Sequence, residues 1–148
     1  MTPDELMAAA LSEARAAGEA GEVPIGAIVL RQGTVIGRGN NRTLRDNDAT
    51  THAEMVAIRE ASRSVGSWRL EGCTLVVTVE PCAMCAGAIV LARLDRVIFG
   101  AWDDKAGMVG SLGDLVRHPK LNHQAEVLGG VRAEESAELL RQFFKARR

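Results

Sequence analysis

The segment "TLVVTVEPCAMCAGAIVLARLDRVIFGAW", residues 74–102, decides the fold. Its beginning, residues 74–79, is almost wholly apolar, as expected of a central strand that is covered on both faces. Residues 82–94 are typical of a helix, and the β-branched run 96–102 is typical of a further strand. Between the first strand and the helix lies "PCAMC", residues 81–85, and its two cysteines raise the question of function.

Helices and strands alternate on both sides of this segment. A helix opens the chain, because Thr2 and Glu5 match a capping box and Pro3 stands at the favoured first helical position. The order of elements predicts an α/β fold with three layers, in one domain that spans residues 1–148. Beyond the opening helix, the predicted elements are a hairpin (23–30 and 34–41), a loop (41–51), a helix (52–65), a last strand (126–131) and a last helix (133–148).

The composition is that of an ordinary soluble globular protein, with 47% hydrophobic and 25% charged residues. The net charge of -1 gives no bulk argument for nucleic-acid binding, so any such contact needs a local basic patch. The first residues are acidic where a signal peptide would be basic. No uncharged apolar run approaches the roughly 20 residues of a membrane span. We therefore expect a soluble, cytoplasmic protein with no membrane partner.

The cysteines of "PCAMC", Cys82 and Cys85, allow three interpretations when they are read alone. They form a redox pair at a helix N-terminus, they supply half of a structural zinc site, or they are small apolar side chains in the core. Spacing alone gives these three equal weight. The third cysteine, Cys73, opens a buried strand and is interpreted as core packing; as a fourth ligand it would close the zinc site and make the protein structural.

The motif "THAEMVAIRE", residues 51–60, changes this balance. His52, Cys82 and Cys85 make three protein ligands, which is the open coordination of a catalytic zinc ion. The fourth position is left for water, whose pKa zinc lowers to about 7. Glu54 would take the proton of that water and return it to the leaving nitrogen. Residues two apart in a helix point roughly 200° away from each other, so His52 and Glu54 share a site only if His52 lies near the helix cap.

The pair "HAE" and "PCAMC" fits the H-x-E…P-C-x-x-C signature of zinc nucleobase deaminases. From about Val23 to Arg148, the chain resembles the bacterial tRNA-specific adenosine deaminases, a branch of the cytidine and deoxycytidylate deaminase superfamily. The segments that carry this resemblance are, in order, "VPIGAIVL", "NNR", "THAEM", "VEPCAMCAGAIV", "VIFGAWDDKAGMVGSL", "HPKLNH" and "LLRQFFKARR".

The resemblance implies a cytidine-deaminase-like fold, with a mixed five-stranded sheet between helical layers. It implies one Zn²⁺ per chain, and a homodimer that binds the anticodon arm of a tRNA and converts adenosine to inosine at the wobble position. The residues with implied roles are the zinc ligands His52, Cys82 and Cys85, the proton carrier Glu54, and the substrate-binding residues Asn41, Asp103, His123 and Phe144.

Three positions depart from the family pattern without touching the metal motif. Ala49 stands where the family has proline, which predicts a looser approach loop. Asn40 replaces a bulkier residue, and Trp102 replaces a polar one.

The tail "RQFFKARR", residues 141–148, allows two interpretations. It is typical of a buried aromatic stripe with basic residues at a helix C-terminus, and it is also typical of a phosphate-binding patch beside an unstacked base. The resemblance favours RNA contact.

The leading prediction is a zinc-dependent adenosine deaminase that acts on tRNA. A close alternative is a deaminase of free bases or nucleosides, guanine or cytosine, with the same zinc chemistry. Two alternatives come from other classes: a dithiol oxidoreductase that uses Cys82 and Cys85, and a non-catalytic zinc module. Zinc that the chain retains without reducing agent would disfavour the redox alternative.

Overall fold

The computed structural model describes residues 1–147, so Arg148 of the predicted tail lies outside the described residues. The predicted α/β fold is confirmed, with five strands in one mixed sheet and helices on both of its faces. No helix within residues 1–147 is long and apolar enough to cross a membrane. The elements are, in chain order, α1 (Pro3–Glu19), β1 (Gly26–Arg31), β2 (Thr34–Asn40), α2 (Thr43–Asp46), α3 (Ala53–Val65), β3 (Cys73–Val79), α4 (Ala83–Leu91), β4 (Arg96–Ala101), β5 (Glu126–Leu128) and α5 (Ala133–Lys145).

Strand β3 lies in the middle of the sheet, whose order is β2-β1-β3-β4-β5. It pairs antiparallel with β1 on one side and parallel with β4 on the other. The hairpin partner β2 is antiparallel to β1, and β5 is parallel to β4. The apolar run of residues 74–79 is therefore the central strand that the sequence predicts, with Leu75, Val76 and Val77 fully buried.

Successive side chains of β3 enter two separate cores, because neighbouring residues of a strand point to opposite faces. Leu75 and Val77 join the core on the α3 and α4 side. Val76 joins the core beneath α1, where Met7 and Leu11 are fully buried. The sheet thus carries a hydrophobic layer on each face, and both faces need a helical cover.

Several element boundaries differ from the prediction, and local backbone geometry explains three of them. The loop before α3 contains the short helix α2. This helix ends because its C-cap residue, Asn47, adopts the left-handed backbone conformation. Strand β5 ends at Leu128, because after Gly129 the chain turns and Val131 N donates to Phe99 O. Helix α4 ends at Leu91, since Arg93 adopts a positive φ of 63°.

Helix α3 lies very close to β2, and a glycine makes this approach sterically allowed. A Cβ atom at Gly39 would stand 2.3 Å from Ala53 O and 2.7 Å from Ala57 N. Real Cβ atoms do not come so near to backbone atoms. The absence of a side chain at Gly39 therefore sets where the first turn of α3 lies over the sheet.

We expect Gly39→Ala to lower the free energy of unfolding by about 1–3 kcal/mol, the usual cost of overpacking a core. The added methyl group must push α3 away from β2, and urea denaturation measures the loss. The matched control is Gly18→Ala in α1, where a Cβ would meet only Pro24 Cβ at 3.5 Å, an ordinary van der Waals contact. That variant should gain up to about 1 kcal/mol from helix propensity. A Gly39→Ala chain as stable as the wild type would contradict the close approach.

Candidate active site

The predicted zinc ligands meet at the carboxyl end of the central strand. His52 is the N-cap residue of α3 and Cys82 is the N-cap residue of α4. Cys85 follows in the first turn of α4 and is fully buried. Because His52 lies at the cap and Glu54 in the first turn, both face a site beyond the helix end, as the helix geometry requires.

The three ligand atoms have the spacing that zinc requires. His52 Nδ1 lies 3.6 Å from Cys82 Sγ and 3.6 Å from Cys85 Sγ, and all three atoms lie within 4.8 Å of one another. A tetrahedral ion with Zn–S of about 2.3 Å and Zn–N of about 2.0–2.1 Å separates nitrogen from sulfur by about 3.5 Å. The residues therefore fit a zinc ion with three protein ligands.

The protonation of the thiols also suits a cation. The Cys85 thiol and the His52 imidazole interact with Cys82 Sγ and lower the pKa of the Cys82 thiol to about 3, although burial opposes this. The same interaction with Cys82, together with burial, raises the pKa of Cys85. The cluster thus holds one thiolate readily, and a metal ion would replace the proton of the second thiol.

Cys73 lies outside this cluster. It is the first residue of β3, whereas the ligands follow the last residue of that strand, about 20 Å away at 3.3 Å per residue. Its side chain is buried, and its sulfur lies 3.8 Å from Glu71 O. The interpretation of Cys73 as core packing is confirmed, and a closed site with four cysteine and histidine ligands is not formed by the described residues.

Three buried carboxylates surround the cluster, and their environments differ. The Glu22 carboxylate accepts hydrogen bonds from Leu44 N, Arg45 N and Arg45 Nε at 2.7–3.2 Å. Glu80 accepts four hydrogen bonds, from Asp103 N, Val109 N, Ser111 N and Ser111 Oγ. Burial alone would raise the pKa of Glu22 and of Glu80, but these hydrogen bonds outweigh it and hold both below the usual value.

Glu54 is the carboxylate with the opposite shift. Its side chain is 4% exposed, and burial raises its pKa to about 6. A carboxyl group with a pKa near the working pH exchanges protons readily in both directions, which general acid–base chemistry requires. Among the three buried carboxylates, Glu54 alone has the electrostatics of a proton carrier.

Two cavities meet at His52 and Glu54. The larger has a volume of about 460 Å³, within the range of small-molecule sites. The smaller has a volume of about 120 Å³ and reaches the metal ligand Cys82. Besides His52 and Glu54, residues that line the larger cavity include Glu22, Asn41, Leu44, Phe143 and Arg147, and residues that line the smaller one include Ile25, Glu80, Asp103 and Ala106.

Two of the four predicted substrate-binding residues line these cavities. Asn41 is buried beside the larger cavity, and its Oδ1 accepts from Thr43 Oγ1 at 2.9 Å, which fixes the side chain. Asp103 lines the smaller cavity, and its Oδ1 accepts from Lys105 N at 3.0 Å and from Ala106 N at 3.2 Å. Both residues are positioned by local hydrogen bonds before any ligand arrives.

The other two predicted residues lie elsewhere. His123 Nε2 lies 2.7 Å from Leu94 O, before the start of β4 and so at the opposite end of the sheet from the metal ligands. Phe144 is 50% exposed and does not line either cavity. Its neighbour Phe143 lines the larger cavity instead, because consecutive helical residues differ by about 100° in direction. Contact of His123 and Phe144 with RNA stays a prediction.

Several residues around the pocket carry no sequence pattern that predicts their position. The guanidinium of Arg147 lies over the ring of Phe143, 3.5 Å from the ring centre. The two side chains together form an aromatic and cationic part of the wall of the larger cavity. The tail pattern contained both aromatics but did not show which one turns inward. Glu22 had no motif of its own, and only its position directly before the apolar run of β1 could have suggested that it is buried.

The departures from the family pattern are accommodated by local contacts. Asp48 Oδ1 accepts from Thr50 N at 2.8 Å and from Thr50 Oγ1 at 2.7 Å, so the segment around Ala49 is held without proline. Asn40 Nδ2 donates to Glu13 at 3.0 Å. Trp102 is 55% exposed and packs edge-on against Phe99, with ring centres 4.7 Å apart. The expectation of a looser approach loop finds no support in this bonding.

Known proteins share both the sequence and the architecture. The model of the cytidine and deoxycytidylate deaminase zinc-binding region matches residues 1–101. The tRNA-specific adenosine deaminase of Bacillus subtilis (strain 168) is 50% identical over 146 residues, covering 98% of this chain and 91% of that protein. A solved structure from work on A-to-I editing by tRNA:A34 deaminases at the wobble position is 48% identical, with a TM-score of 0.88 over 92% of this chain and 99% of the other.

A more distant relative acts on guanine. The structure of a guanine deaminase from Nitrosomonas europaea is 26% identical, with a TM-score of 0.80 over 96% of this chain and 84% of the other. The same architecture therefore serves more than one base, and the identity to the adenosine deaminases is about twice as high.

Proposed function

The chain belongs to the cytidine and deoxycytidylate deaminase family, and from this premise we propose that it is a zinc-dependent deaminase that converts adenosine to inosine at the wobble position of a tRNA anticodon. One observation carries the proposal. His52 of the metal cluster lines the same cavity as Glu54 and Asn41, and Cys82 lines the smaller cavity, which meets the larger one at His52 and Glu54. Metal ligands, a proton carrier and a polar group for a base thus converge on one space.

The reaction replaces the C6 amino group of adenine by oxygen from water and releases ammonia. A zinc ion held by the three ligands would lower the pKa of a bound water toward neutrality and so supply the nucleophile. Glu54 takes a proton from water and delivers it to the leaving nitrogen, for which its pKa of about 6 is suited. Burial of Glu54 excludes bulk water from this transfer.

The substrate-binding roles of Asn41 and Asp103 belong to the same proposal. Asn41 has an amide group at the edge of the larger cavity, where it would bind the target base or its ribose. Phe143 and Arg147 form the outer wall of that cavity. An aromatic ring with a cation beside it suits an unstacked base and its phosphate. The anticodon loop of a tRNA offers both groups, which supports the anticodon arm as the partner.

We also propose that the enzyme works as a homodimer in the cytoplasm, where tRNA is processed. Helix α4 has the sequence AMCAGAIVL without a charged residue, and its last residue Leu91 is 70% exposed. An apolar helix that also carries a metal ligand is costly to leave in water, and a second copy of the chain would cover it. Sedimentation of the purified protein measures this association.

The proposal is tested by incubating the protein with an anticodon stem-loop RNA, guanine and cytidine in parallel. We expect inosine in the RNA at the wobble position and no change of the free base or nucleoside, because the half-buried ring of Phe143 and the exposed guanidinium of Arg147 fit a polymeric substrate. The Glu54→Ala protein serves as the inactive control. Turnover of guanine without turnover of RNA would overturn the proposed substrate and favour the guanine deaminase alternative.

A further inference from the structure

A buried carboxylate that the chemistry does not use connects the metal site to a neighbouring loop. Glu80 lies between the end of β3 and the turn Pro81–Cys82, and it is 3% exposed. Its main-chain N donates to Ala101 O at 2.8 Å, which fixes the backbone at the carboxyl end of the sheet. The side chain points away from solvent, next to the smaller cavity.

All four hydrogen bonds to this carboxylate come from one segment, residues 103–111, called here the 103–111 loop. One oxygen, Oε1, accepts from Asp103 N at 3.0 Å and from Ser111 Oγ. The other, Oε2, accepts from Val109 N and from Ser111 N, each at 3.0 Å. Within residues 1–147, no lysine or arginine forms an ion pair with Glu80. Three main-chain N–H groups and one hydroxyl group therefore set its environment.

The same loop wraps around the turn that carries a metal ligand. Met108 N donates to Pro81 O at 2.9 Å, and Gly107 forms an antiparallel bridge with Cys82. A Cβ atom at Gly107 would stand 2.3 Å from the carboxyl carbon of Glu80, so only glycine allows this approach. The beginning of the loop lies at the smaller cavity, where Asp103 and Ala106 form part of the lining.

We propose that Glu80 is a positioning residue, whose carboxylate holds the 103–111 loop against the Pro81–Cys82 turn and thereby sets the substrate contacts of Asp103. The proposal rests on the proposed function, because it assigns the loop to that substrate. Glu80 touches no reacting atom and binds no metal. Both carboxylate oxygens face donors, and an amide in their place would direct an N–H group at two of those donors.

Glu80→Gln tests this role by hydrogen exchange and by kinetics. The amides of Asp103, Val109 and Ser111 should exchange faster by about tenfold or more, because buried donors lose their acceptor. The zinc content should stay at the wild-type level, since all three ligands lie outside the loop. With the stem-loop RNA, KM should rise by about tenfold or more while kcat changes far less, because binding contacts move and the proton carrier does not.

Two control variants separate this role from a general loss of stability. Glu22→Gln removes a similar buried carboxylate, which lines the larger cavity. It should speed amide exchange at Leu44 and Arg45 and leave amide exchange in the 103–111 loop unchanged. Val97→Ala opens a cavity in the core of β4, so it should lower the melting temperature without raising KM for RNA.

If Glu80→Gln does not fold, Ser111→Ala tests the same role of the Glu80 carboxylate. It removes one of the four donors and should raise loop exchange and KM by about two- to tenfold, the effect of one hydrogen bond. Wild-type exchange and wild-type KM in the folded variants would overturn the role of Glu80. A wild-type protein that does not deaminate the stem-loop would overturn the proposed function instead, and the exchange measurements would still decide whether Glu80 holds the loop.

Discussion

Glu54→Ala should retain the zinc content of the wild type and lose deaminase activity by about a thousandfold or more, within the range that general acid–base groups contribute. Glu54 follows the ligand His52 by two residues and lies in the first turn of α3. Its carboxylate is buried beside the metal cluster, with its pKa raised to about 6. The loss should appear in kcat, because in the proposed reaction Glu54 transfers protons and does not hold the RNA. Zinc analysis and single-turnover deamination of the stem-loop measure both quantities.

Two further variants make this expectation sharper. Glu54→Gln keeps the size of the side chain and removes its ability to accept and release a proton, so it should be as inactive as alanine. Glu60→Ala changes an exposed carboxylate on the same helix and should keep full activity. Loss of zinc in Glu54→Ala, or a wild-type rate in Glu54→Gln, would show that Glu54 is not the proton carrier.

The sequence predicted the metal cluster well because each part of it follows from a short-range pattern. Helical sequence patterns placed His52 and Cys82 at the starts of predicted helices, and the structure has both as N-cap residues. The apolar run of residues 74–79 predicted the buried central strand, and its carboxyl end is where the ligands meet. Such patterns are local, and they need no knowledge of the loops.

The walls of the pocket could not be predicted in the same way, because they depend on contacts between distant segments. Glu22 bonds to residues 44 and 45, and Glu80 bonds to the loop that begins at Asp103. No spacing in the chain signals either pairing. The choice between Phe143 and Phe144 likewise depends on how α5 rotates against the sheet, and Phe143 lines the cavity.

Two of the buried carboxylates, Glu22 and Glu80, explain how a metal site and a shaped cavity can form together at the carboxyl end of the central strand. Glu22 accepts hydrogen bonds from the segment that contains α2, next to Asn41. Glu80 accepts hydrogen bonds from the 103–111 loop, next to the Pro81–Cys82 turn. Both loops are thereby tied to residues that flank strands, since Glu22 precedes β1 and Glu80 directly follows β3. Substrate contacts on loops gain precision when such supports fix them.

Cys85→Ser should abolish zinc retention and, with it, deaminase activity. The sulfur of Cys85 is one of the three proposed zinc ligands, and it lies fully buried 3.6 Å from His52 Nδ1. A serine hydroxyl is not ionised near neutral pH and is a poor ligand for zinc. Groups that merely support a ligand contribute about 10–100-fold to metal affinity, so loss of the ligand itself should cost more than about a hundredfold. Dialysis followed by elemental analysis measures the retained zinc.

Cys73→Ser is the matched control, because Cys73 is a buried cysteine like Cys85 but lies at the other end of β3 from the metal cluster. The hydroxyl of the introduced serine can keep the contact that Cys73 makes with Glu71 O, and the variant should keep its zinc. Zinc that binds only the native state raises the melting temperature, so a chelator should lower it in the wild type and in Cys73→Ser. In Cys85→Ser the chelator should have no effect. Full zinc occupancy with activity in Cys85→Ser would show that the metal does not depend on this thiolate, and the assignment of an open His-Cys-Cys site would have to be given up.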